Sequence, residues 1–142
     1  MEDRLQGVRR AIDEFGARDR FHVIDAGPGE QEGYETTERI LTDTEPPVAI
    51  FAVNDVTALG ALRACVDRGL RIPEDAAVLG FDDLSMAQYL SPRLSTIHQP
   101  RLQMGRDGAK HLLELVERSE SGAPTEHMNQ VLTPRLVLRE SA

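Results

Sequence analysis

The sequence predicts an α/β fold, in which a doubly wound and mostly parallel sheet is flanked by helices. Up to residue 83, short apolar segments alternate with longer amphipathic segments, which is typical of strands joined by right-handed helical crossovers. Residues 48–53 form an unbroken apolar run, as in parallel strands that are covered on both faces. Residues 76–81 form a second short apolar run, which ends in the adjacent carboxylates of Asp82 and Asp83.

The segments before residue 48 predict two helices and one strand. Residues 2–17 place four apolar side chains at helical spacing, which predicts an amphipathic helix with one face towards the core. These side chains are Leu5, Val8, Ile12 and Phe15. The segment 21–26 is short and contains β-branched residues, which predicts a strand. The apolar spacing between Tyr34 and Leu41 then predicts a second helix that ends near Thr42.

A third helix is predicted between the two apolar runs. Asn54 and Asp55 indicate its start, because both residue types are preferred helix N-caps. Apolar residues at helical spacing continue to Val66, and Gly69 suits the position just after a helix.

The chain after the paired carboxylates alternates less regularly. It predicts a short helix at 84–90, a strand at 94–98, a long helix at 101–118, a polar loop at 119–125 and β-like segments at 129–132 and 136–138. The long helix carries an apolar stripe of Leu102, Ala109, Leu113 and Val116, flanked by Leu112 and Leu115.

Composition argues against several classes of function. The 142 residues suffice for one domain with a core, and 40 % hydrophobic and 28 % charged residues are ordinary for a soluble protein. The net charge of −8 argues against direct nucleic-acid binding, which depends on Lys and Arg neutralising phosphates. No apolar run approaches the roughly 18 residues of a membrane span. The single cysteine, Cys65, excludes an internal disulfide and is expected to be a buried, inert thiol in a reducing compartment.

The first residues do not resemble a signal peptide. The chain enters a predicted helix directly after Met1. We therefore expect it to be a piece of a longer polypeptide.

The paired carboxylates after residue 81 are the leading candidate for a functional site. Ligands of open α/β sheets bind beyond the carboxyl ends of the strands, where Asp82 could accept hydrogen bonds from a small polar ligand. Capping of the short helix at 84–90 is the main alternative, and we expect Asp83 to be such a local structural cap. A metal or catalytic site is disfavoured, because the sequence offers no third acidic strand end, no catalytic lysine and no histidine at ligand spacing.

Three further features have simple structural interpretations. Asn54 could offer its side-chain amide to a ligand while Asp55 caps the third helix, although capping alone explains both residues. The segment 27–33 lies where a dinucleotide-binding loop would lie, but its spacing is wrong and Pro28 lacks an amide, so we expect a plain turn. The four histidines share no common spacing, which argues against a metal site.

Seven short segments spread over nearly the whole chain form a recognisable series. They are PVAIFAVND (47–55), ALGAL (58–62), GLRIPED (69–75), VLGFDD (78–83), PRLSTIHQP (92–100), MG (104–105) and PRLVLRES (134–141). Each segment alone is weak, but together and in this order they resemble the LacI/GalR family of bacterial transcriptional repressors. A mild departure is Ser95-Thr96, where the family usually has two threonines.

The resemblance implies part of a periplasmic-binding-protein-like domain, in which two α/β lobes hold a ligand between them. This chain would be the carboxyl-terminal portion, without the family's helix-turn-helix and most of its first lobe. Because the family's chain crosses between lobes three times, residues 1–99 would form the carboxyl-terminal lobe. Residues 100–133 would be a crossover helix and strand of the otherwise missing first lobe, and residues 134–142 would return to the second lobe as a strand.

The resemblance also assigns effector binding to individual residues. Asp82 and Asn54 match positions that hydrogen-bond the effector, and Arg4 matches the arginine of the family's Arg-x-x-Gly helix start. Gln99 matches a position at the crossover beside the cleft. Phe51, at a strand end, would stack on a ligand ring.

The implied function is effector sensing in a cytoplasmic LacI-type repressor. We expect a sugar or nucleoside as effector, a homodimer, no enzymatic activity, no cofactor or metal, no membrane partner, and DNA contact only through the absent helix-turn-helix. We also expect the helix at 101–118, without its lobe, to drive dimerisation of this chain. The alternative is a solute-binding protein of a sugar transporter. The effector's identity, the operator and the direction of the response stay open.

Overall fold

A mostly parallel sheet forms the centre of the fold. The computed structural model describes residues 2–121 and 129–142. Within them, four strands lie side by side in chain order: β1 (Val48–Phe51), β2 (Ala76–Asp82), β3 (Ser95–His98) and β4 (Arg135–Val137). The first three run parallel, and β4 runs antiparallel to β3. The predicted α/β fold class is confirmed.

The predicted helices are present with shifted ends. They are α1 (Glu2–Glu14), α2 (Glu30–Asp43), α3 (Asp55–Asp67) and α4 (Arg101–Ser121), with 3₁₀-helices at Arg18–Arg20 and Ser85–Gln88. Gly69, at φ +70°, follows α3 as predicted. Among the described helices, none combines the length and apolar character needed to cross a membrane.

The crossing of α2 and α3 depends on two glycines. A Cβ added to Gly60 would lie 1.9 Å from the carbonyl oxygen of Glu30, and one added to Gly33 would lie 2.2 Å from that of Thr57. No larger residue fits at either position without separating the helices. Because α3 also contacts β2, this crossing holds α3 between α2 and the sheet.

The core lies between α3 and the sheet and consists mainly of small side chains. Its buried members are Ala52, Ala58, Ala61, Leu62, Cys65, Ala76, Val78, Ala87 and Leu94. The predicted burial of Cys65 is confirmed, and this burial raises the pKa of the thiol to about 11. The thiolate, which is the reactive form, is therefore disfavoured.

Two predicted β segments are absent. Residues 21–26 are not a strand, and Val23 and Ile24 are 56 % and 46 % exposed. Residues 129–132 are not a strand either. β-branched composition favours a strand only where a neighbour supplies ladder hydrogen bonds, and no described strand pairs with these segments. The predicted polar loop at 119–125 does not begin at residue 119, because α4 continues to Ser121. Residues 122–125 of the predicted loop lie outside the described residues.

Two predictions of buried surface are also wrong. In α1, Leu5, Val8 and Ile12 are only half-buried and Phe15 is 85 % exposed, because the described elements leave most of this helix uncovered. β1 is an edge strand of the described sheet, and its side chains alternate between half-buried and exposed instead of being covered on both faces.

The carboxyl-terminal residues tie β2 to β3. The Ser141 hydroxyl donates to the carbonyl oxygen of Val78 at 2.6 Å and accepts from the amide of Ser95 at 2.8 Å. The Val78 amide in turn donates to the Ser141 carbonyl oxygen at 2.7 Å. The segment that begins with β4 therefore ends against the middle of the sheet and brings Arg139 close to the end of β2.

Candidate ligand-binding site

The carboxyl edge of the parallel strands carries the predicted site residues. Asn54 follows β1, Asp82 ends β2 and Gln99 follows β3. Arg4 reaches the same edge from α1, where it contacts the residues next to Asn54 and Asp82. This edge is where open α/β sheets bind their ligands.

Asp82 and Gln99 are in direct contact. The Gln99 amide nitrogen Nε2 donates to the carboxylate oxygen Oδ1 of Asp82 at 2.5 Å, and both residues are half-buried. The bond orients the carboxylate and leaves an acceptor group and a carboxamide side by side. Such a pair can accept from and donate to the hydroxyls of a small polar molecule.

The backbone at the end of β2 is strained. Asp82 has φ +116° and Asp83 has φ +53°, a region that side chains with a Cβ rarely adopt. Such conformations persist only where surrounding contacts fix them, and they cluster at functional sites. The direction in which Asp82 points therefore depends on the contacts of its neighbours.

Asp83 is engaged through four polar atoms. Its amide donates to Thr96 Oγ1 at 3.3 Å, and its carbonyl oxygen accepts from Arg101 Nη2 at 3.0 Å. Its carboxylate accepts from Arg139 Nη2 at 2.6 Å and lies 2.9 Å from His98 Nδ1. Asp83 thus joins β3, the start of α4 and the carboxyl-terminal segment.

The prediction that Asp83 caps the short helix at 84–90 is wrong. The 3₁₀-helix at Ser85–Gln88 has no side-chain cap, because the Asp83 carboxylate is taken by Arg139 and His98. Burial raises the pKa of Asp83, but the hydrogen bonds and positive charge of those two partners outweigh burial and lower the pKa overall. The carboxylate is therefore held ionised within this ion cluster.

Asn54 caps α3. Its Oδ1 accepts from the Thr57 amide at 2.7 Å, and its Nδ2 donates to the Pro28 carbonyl oxygen at 3.0 Å. Pro28 and Gly29 form a bend that leads into α2, and residues 30–33 already belong to that helix, so the predicted plain turn is shorter than expected. Asn54 therefore joins the helix start to this bend, and both ends of its side chain are engaged.

Asp55 is buried inside the fold and is not the helix cap. Its Oδ2 accepts from the Leu84 amide at 2.7 Å, and its Oδ1 accepts from the Thr96 hydroxyl. The prediction that Asp55 caps the helix is thus wrong, whereas the capping interpretation of Asn54 is confirmed. Burial raises the pKa of Asp55 most, the two hydrogen bonds lower it, and the nearby carboxylates of Asp82 and Asp83 raise it further, so that the net shift is upward.

Arg4 lies between the ends of β1 and β2. Its guanidinium carbon is 3.5 Å from the centroid of the Phe81 ring, and its Nη1 donates to the carbonyl oxygen of Val53. A planar guanidinium on an aromatic face is a favourable cation–π contact. Val53 and Phe81 precede Asn54 and Asp82, so Arg4 links the two strand ends that carry predicted site residues.

Phe51 is not brought to this group. It pairs in register with Leu79, three residues before Asp82, and is 37 % exposed. Its ring is accessible, but none of the hydrogen bonds or ring contacts around Asp82 includes it.

A cleft of about 420 Å³ opens next to Gln99, the hydrogen-bond partner of Asp82, and Asp82 itself does not line it. It is lined from the sheet side by Phe81, Gln99 and Pro100, from α4 by Met104, Asp107, Gly108 and His111, and from the carboxyl-terminal part by Asn129, Gln130, Leu132 and Pro134. This lining of aromatic, apolar, amide and carboxylate groups suits a small ligand with polar substituents. Among the described residues, no group of three or more His, Cys, Asp or Glu side chains is placed to hold a metal ion.

Sequence reasoning missed four residues that hold this site: Phe81, Thr96, His98 and Arg139. The first three carry a usable signal, because Phe81 directly precedes Asp82, and Thr96 and His98 share one face of the short strand β3. Arg139 carries none, since 56 residues separate it from its partner Asp83.

Comparison with known proteins identifies the relatives of this chain. The periplasmic binding protein-like domain family matches residues 1–142. The HTH-type transcriptional repressor PurR of Haemophilus influenzae strain PittEE is 36 % identical over 139 residues, which are 97 % of this chain and 41 % of that repressor. The chain therefore spans less than half the length of this curated relative.

Solved structures agree with this relationship. A LacI family transcriptional regulator from Enterococcus faecium with bound ribose matches at a TM-score of 0.86 and 31 % identity, over 97 % of this chain and 50 % of that one. The dimeric Lac repressor with an 11-residue C-terminal deletion matches at a TM-score of 0.79 and 30 % identity, over 97 % of this chain and 48 % of that one. The chain belongs to the periplasmic binding protein-like family, and within it to the LacI/GalR type of effector-binding domain.

Proposed function

We propose that this chain is the effector-sensing part of a LacI-type transcriptional repressor. It would bind a small polar ligand at the carboxyl edge of the sheet, and ligand binding would alter the affinity of the whole protein for DNA. The observation that carries the proposal is the Asp82 carboxylate, which is hydrogen-bonded to Gln99, a residue that lines a cleft of about 420 Å³. The relatives named above are repressors, which favours this function over that of a transporter's solute-binding protein.

A sugar or nucleoside is the proposed effector class. Carboxylate, carboxamide and guanidinium groups together match the donors and acceptors of a ligand with several hydroxyls. The ribose in the Enterococcus faecium regulator supports this class. Charge-assisted hydrogen bonds of this kind contribute about 1.5–3 kcal/mol each, enough for Asp82 to dominate the affinity of a small ligand.

Five residues are proposed to contact the effector, with unequal support. Asp82 and Gln99 already form a pair, and Arg4 lies at the same edge. Asn54 would have to exchange its bond to the Pro28 carbonyl oxygen for one to the ligand. Phe51 would have to be reached by a ligand that extends along the exposed edge strand.

The proposed layout assigns residues 1–99 and 134–142 to one lobe and residues 100–133 to the other. The exposed apolar face of α4 supports the assignment of this helix to the other lobe. Leu102, Leu112 and Leu113 are 89 %, 63 % and 65 % exposed, and no described part of the chain covers them. DNA contact is assigned to a helix-turn-helix outside these 142 residues, since a net charge of −8 does not suit a DNA-binding surface.

We further propose a homodimer that acts in the cytoplasm and has no enzymatic activity, cofactor or metal. The dimeric state of the Lac repressor neighbour supports the homodimer. We propose a cytoplasmic location because a repressor must reach the DNA that it binds. Coupling between effector and DNA typically amounts to about 1–3 kcal/mol and is reciprocal, so operator DNA should change effector affinity by the same factor.

The test is an effector-response assay on the complete protein. Ribose and a panel of nucleosides are titrated by calorimetry, and binding to operator-containing DNA is measured with and without each compound. Asp82→Ala should abolish the effector response and leave operator binding intact. Asp43→Asn, which removes one exposed carboxylate at the end of α2, is the charge-matched control. Undiminished effector affinity in Asp82→Ala would refute the assignment.

A further inference from the structure

The two amides that follow Asp82 are held by buried side chains of other elements. The Asp83 amide donates to Thr96 Oγ1 on β3 at 3.3 Å, and the Leu84 amide donates to Asp55 Oδ2 on α3 at 2.7 Å. The Thr96 hydroxyl donates in turn to Asp55 Oδ1. A continuous hydrogen-bonded chain therefore runs from the turn after β2 through β3 to the start of α3.

The carboxylate of Asp55 has little room to move. Asp55 and Thr96 are both 0 % exposed, and both oxygens of Asp55 are engaged. A Cβ added to Gly80 would lie 2.3 Å from Asp55 Oδ1, so the carboxylate rests directly against the backbone of β2. These contacts make Asp55 and Thr96 a rigid support under the turn.

The turn needs such a support. Asp82 and Asp83 have φ values of +116° and +53°, which residues other than glycine rarely adopt without contacts that fix them. Relaxation of either residue would rotate the Asp82 carboxylate relative to Gln99. Complete burial keeps Asp55 and Thr96 from touching a ligand in the cleft themselves.

We propose that Asp55 and Thr96 are positioning residues for the effector, which hold the Asp82 carboxylate in the orientation that binds. This inference rests on the function proposed above, and it adds residues that act only through Asp82. A merely structural role would stabilise the core without a specific link to Asp82. The two roles differ in how mutations at Thr96 and Asp82 combine.

Thr96→Val is the main test, since it removes the hydroxyl and keeps the shape, and Thr96→Ser is the matched variant that keeps the hydroxyl. Ribose affinity is measured by calorimetry on the complete protein, at a temperature where every variant is folded. Thr96→Val should weaken ribose binding at least tenfold, and Thr96→Ser should restore most of it. In an Asp82→Asn background, Thr96→Val should cause little further loss, because residues that act as a unit are not additive.

Amide hydrogen exchange provides a readout that does not depend on ligand. The Asp83 amide should exchange at least tenfold faster in Thr96→Val. The Val78 amide, which lies in the same strand and bonds Ser141, is the internal control and should be unchanged. If Thr96→Val does not fold, Asp55→Asn is the second variant. The asparagine amide has one acceptor oxygen where the carboxylate has two, so one of the two hydrogen bonds is lost. Ribose affinity and the protection of the turn amides from exchange should then fall together.

The outcomes separate this inference from the proposed function. The positioning role alone would be overturned if Thr96→Val bound ribose as tightly as wild type, or if Thr96→Val caused the same loss of affinity in the wild-type and Asp82→Asn backgrounds. Loss of protection along all of β2 would also overturn it, because it would indicate general destabilisation. A wild-type protein that binds neither ribose nor any nucleoside would overturn the proposed function, and the positioning role with it.

Discussion

The side-chain amide of Gln99 donates a hydrogen bond to a carboxylate oxygen of Asp82 at 2.5 Å. The contact joins the end of β2 to the first residue after β3, across the edge where the three parallel strands finish. The geometry of the candidate site therefore depends on two residues that are 17 positions apart in the chain.

Gln99→Glu should weaken effector binding. The substitution replaces a donor with a second carboxylate in contact with Asp82, and two like charges at this distance cannot both ionise easily. We expect at least a tenfold loss of ribose affinity, which corresponds to about 1.4 kcal/mol. Gln103→Glu introduces the same charge at an exposed position of α4 and should bind as wild type. Calorimetry on both variants decides the matter, and equal affinities would argue against a ligand at Asp82.

Arg4→Met should destabilise the fold. The variant loses the contact with the Phe81 ring and the bond to the Val53 carbonyl oxygen, and it keeps an unbranched side chain of similar reach. Together these losses should cost about 1–3 kcal/mol of unfolding free energy in urea. Arg9→Met, at an exposed position of the same helix, is the control and should have little effect. Equal stability of the two variants would show that the contacts of Arg4 with Val53 and Phe81 do not stabilise the packing of α1 on the strand ends.

Asp75 should make the free energy of unfolding depend on pH in the acid range. The side chain of Arg71, followed by its backbone amide, lowers the pKa of Asp75 from 3.8 to about 2. Because the pKa in the folded state lies below the unfolded value, this contribution is present above about pH 4 and is lost as the pH falls towards 2. Asp75→Asn should therefore flatten part of the fall in unfolding free energy over this range. A slope in Asp75→Asn identical to wild type would contradict the assignment.

The 142-residue chain should self-associate through α4. Leu102, Leu112, Leu113 and Val116 are 49–89 % exposed, and apolar surface of this kind usually forms an interface. Leu112→Gln combined with Leu113→Gln should shift the chain towards monomer in sedimentation equilibrium. Lys110→Gln, an exposed polar change on the same helix, should leave the association unchanged. A wild-type chain that is strictly monomeric would contradict this prediction.

Local patterns predicted the elements well where each pattern had a single interpretation. The apolar run at 76–81 forms β2, which lies between two parallel neighbours. Gly69 follows α3 because glycine readily adopts the positive φ that suits a helix end. The run at 48–53 had the same apolar character but became an edge strand with one exposed face. Composition does not say whether a neighbouring strand exists, so burial on both faces could not be deduced.

The paired residues 54–55 and 82–83 show the same limit within the site. Both pairs were recognised as strand-end polar residues, but the roles within each pair depend on contacts with distant segments. Asn54 is the helix cap and Asp55 is the buried partner of Thr96, and Asp83 is held by Arg139. No spacing rule could assign these partners, because each is brought in by the fold.

By itself, the sequence determined the α/β class, the order of the helices and the position of Asp82 at the end of a buried strand. It could do so because hydrophobic periodicity and turn residues act over a few neighbouring positions. Only the tertiary structure decided which of these carboxylates are held by buried or cationic partners and which one is paired with the cleft-lining Gln99. That decision depends on hydrogen bonds across the sheet: Asp55 and Asp83 find buried or cationic partners, and Asp82 pairs with Gln99 at the open edge.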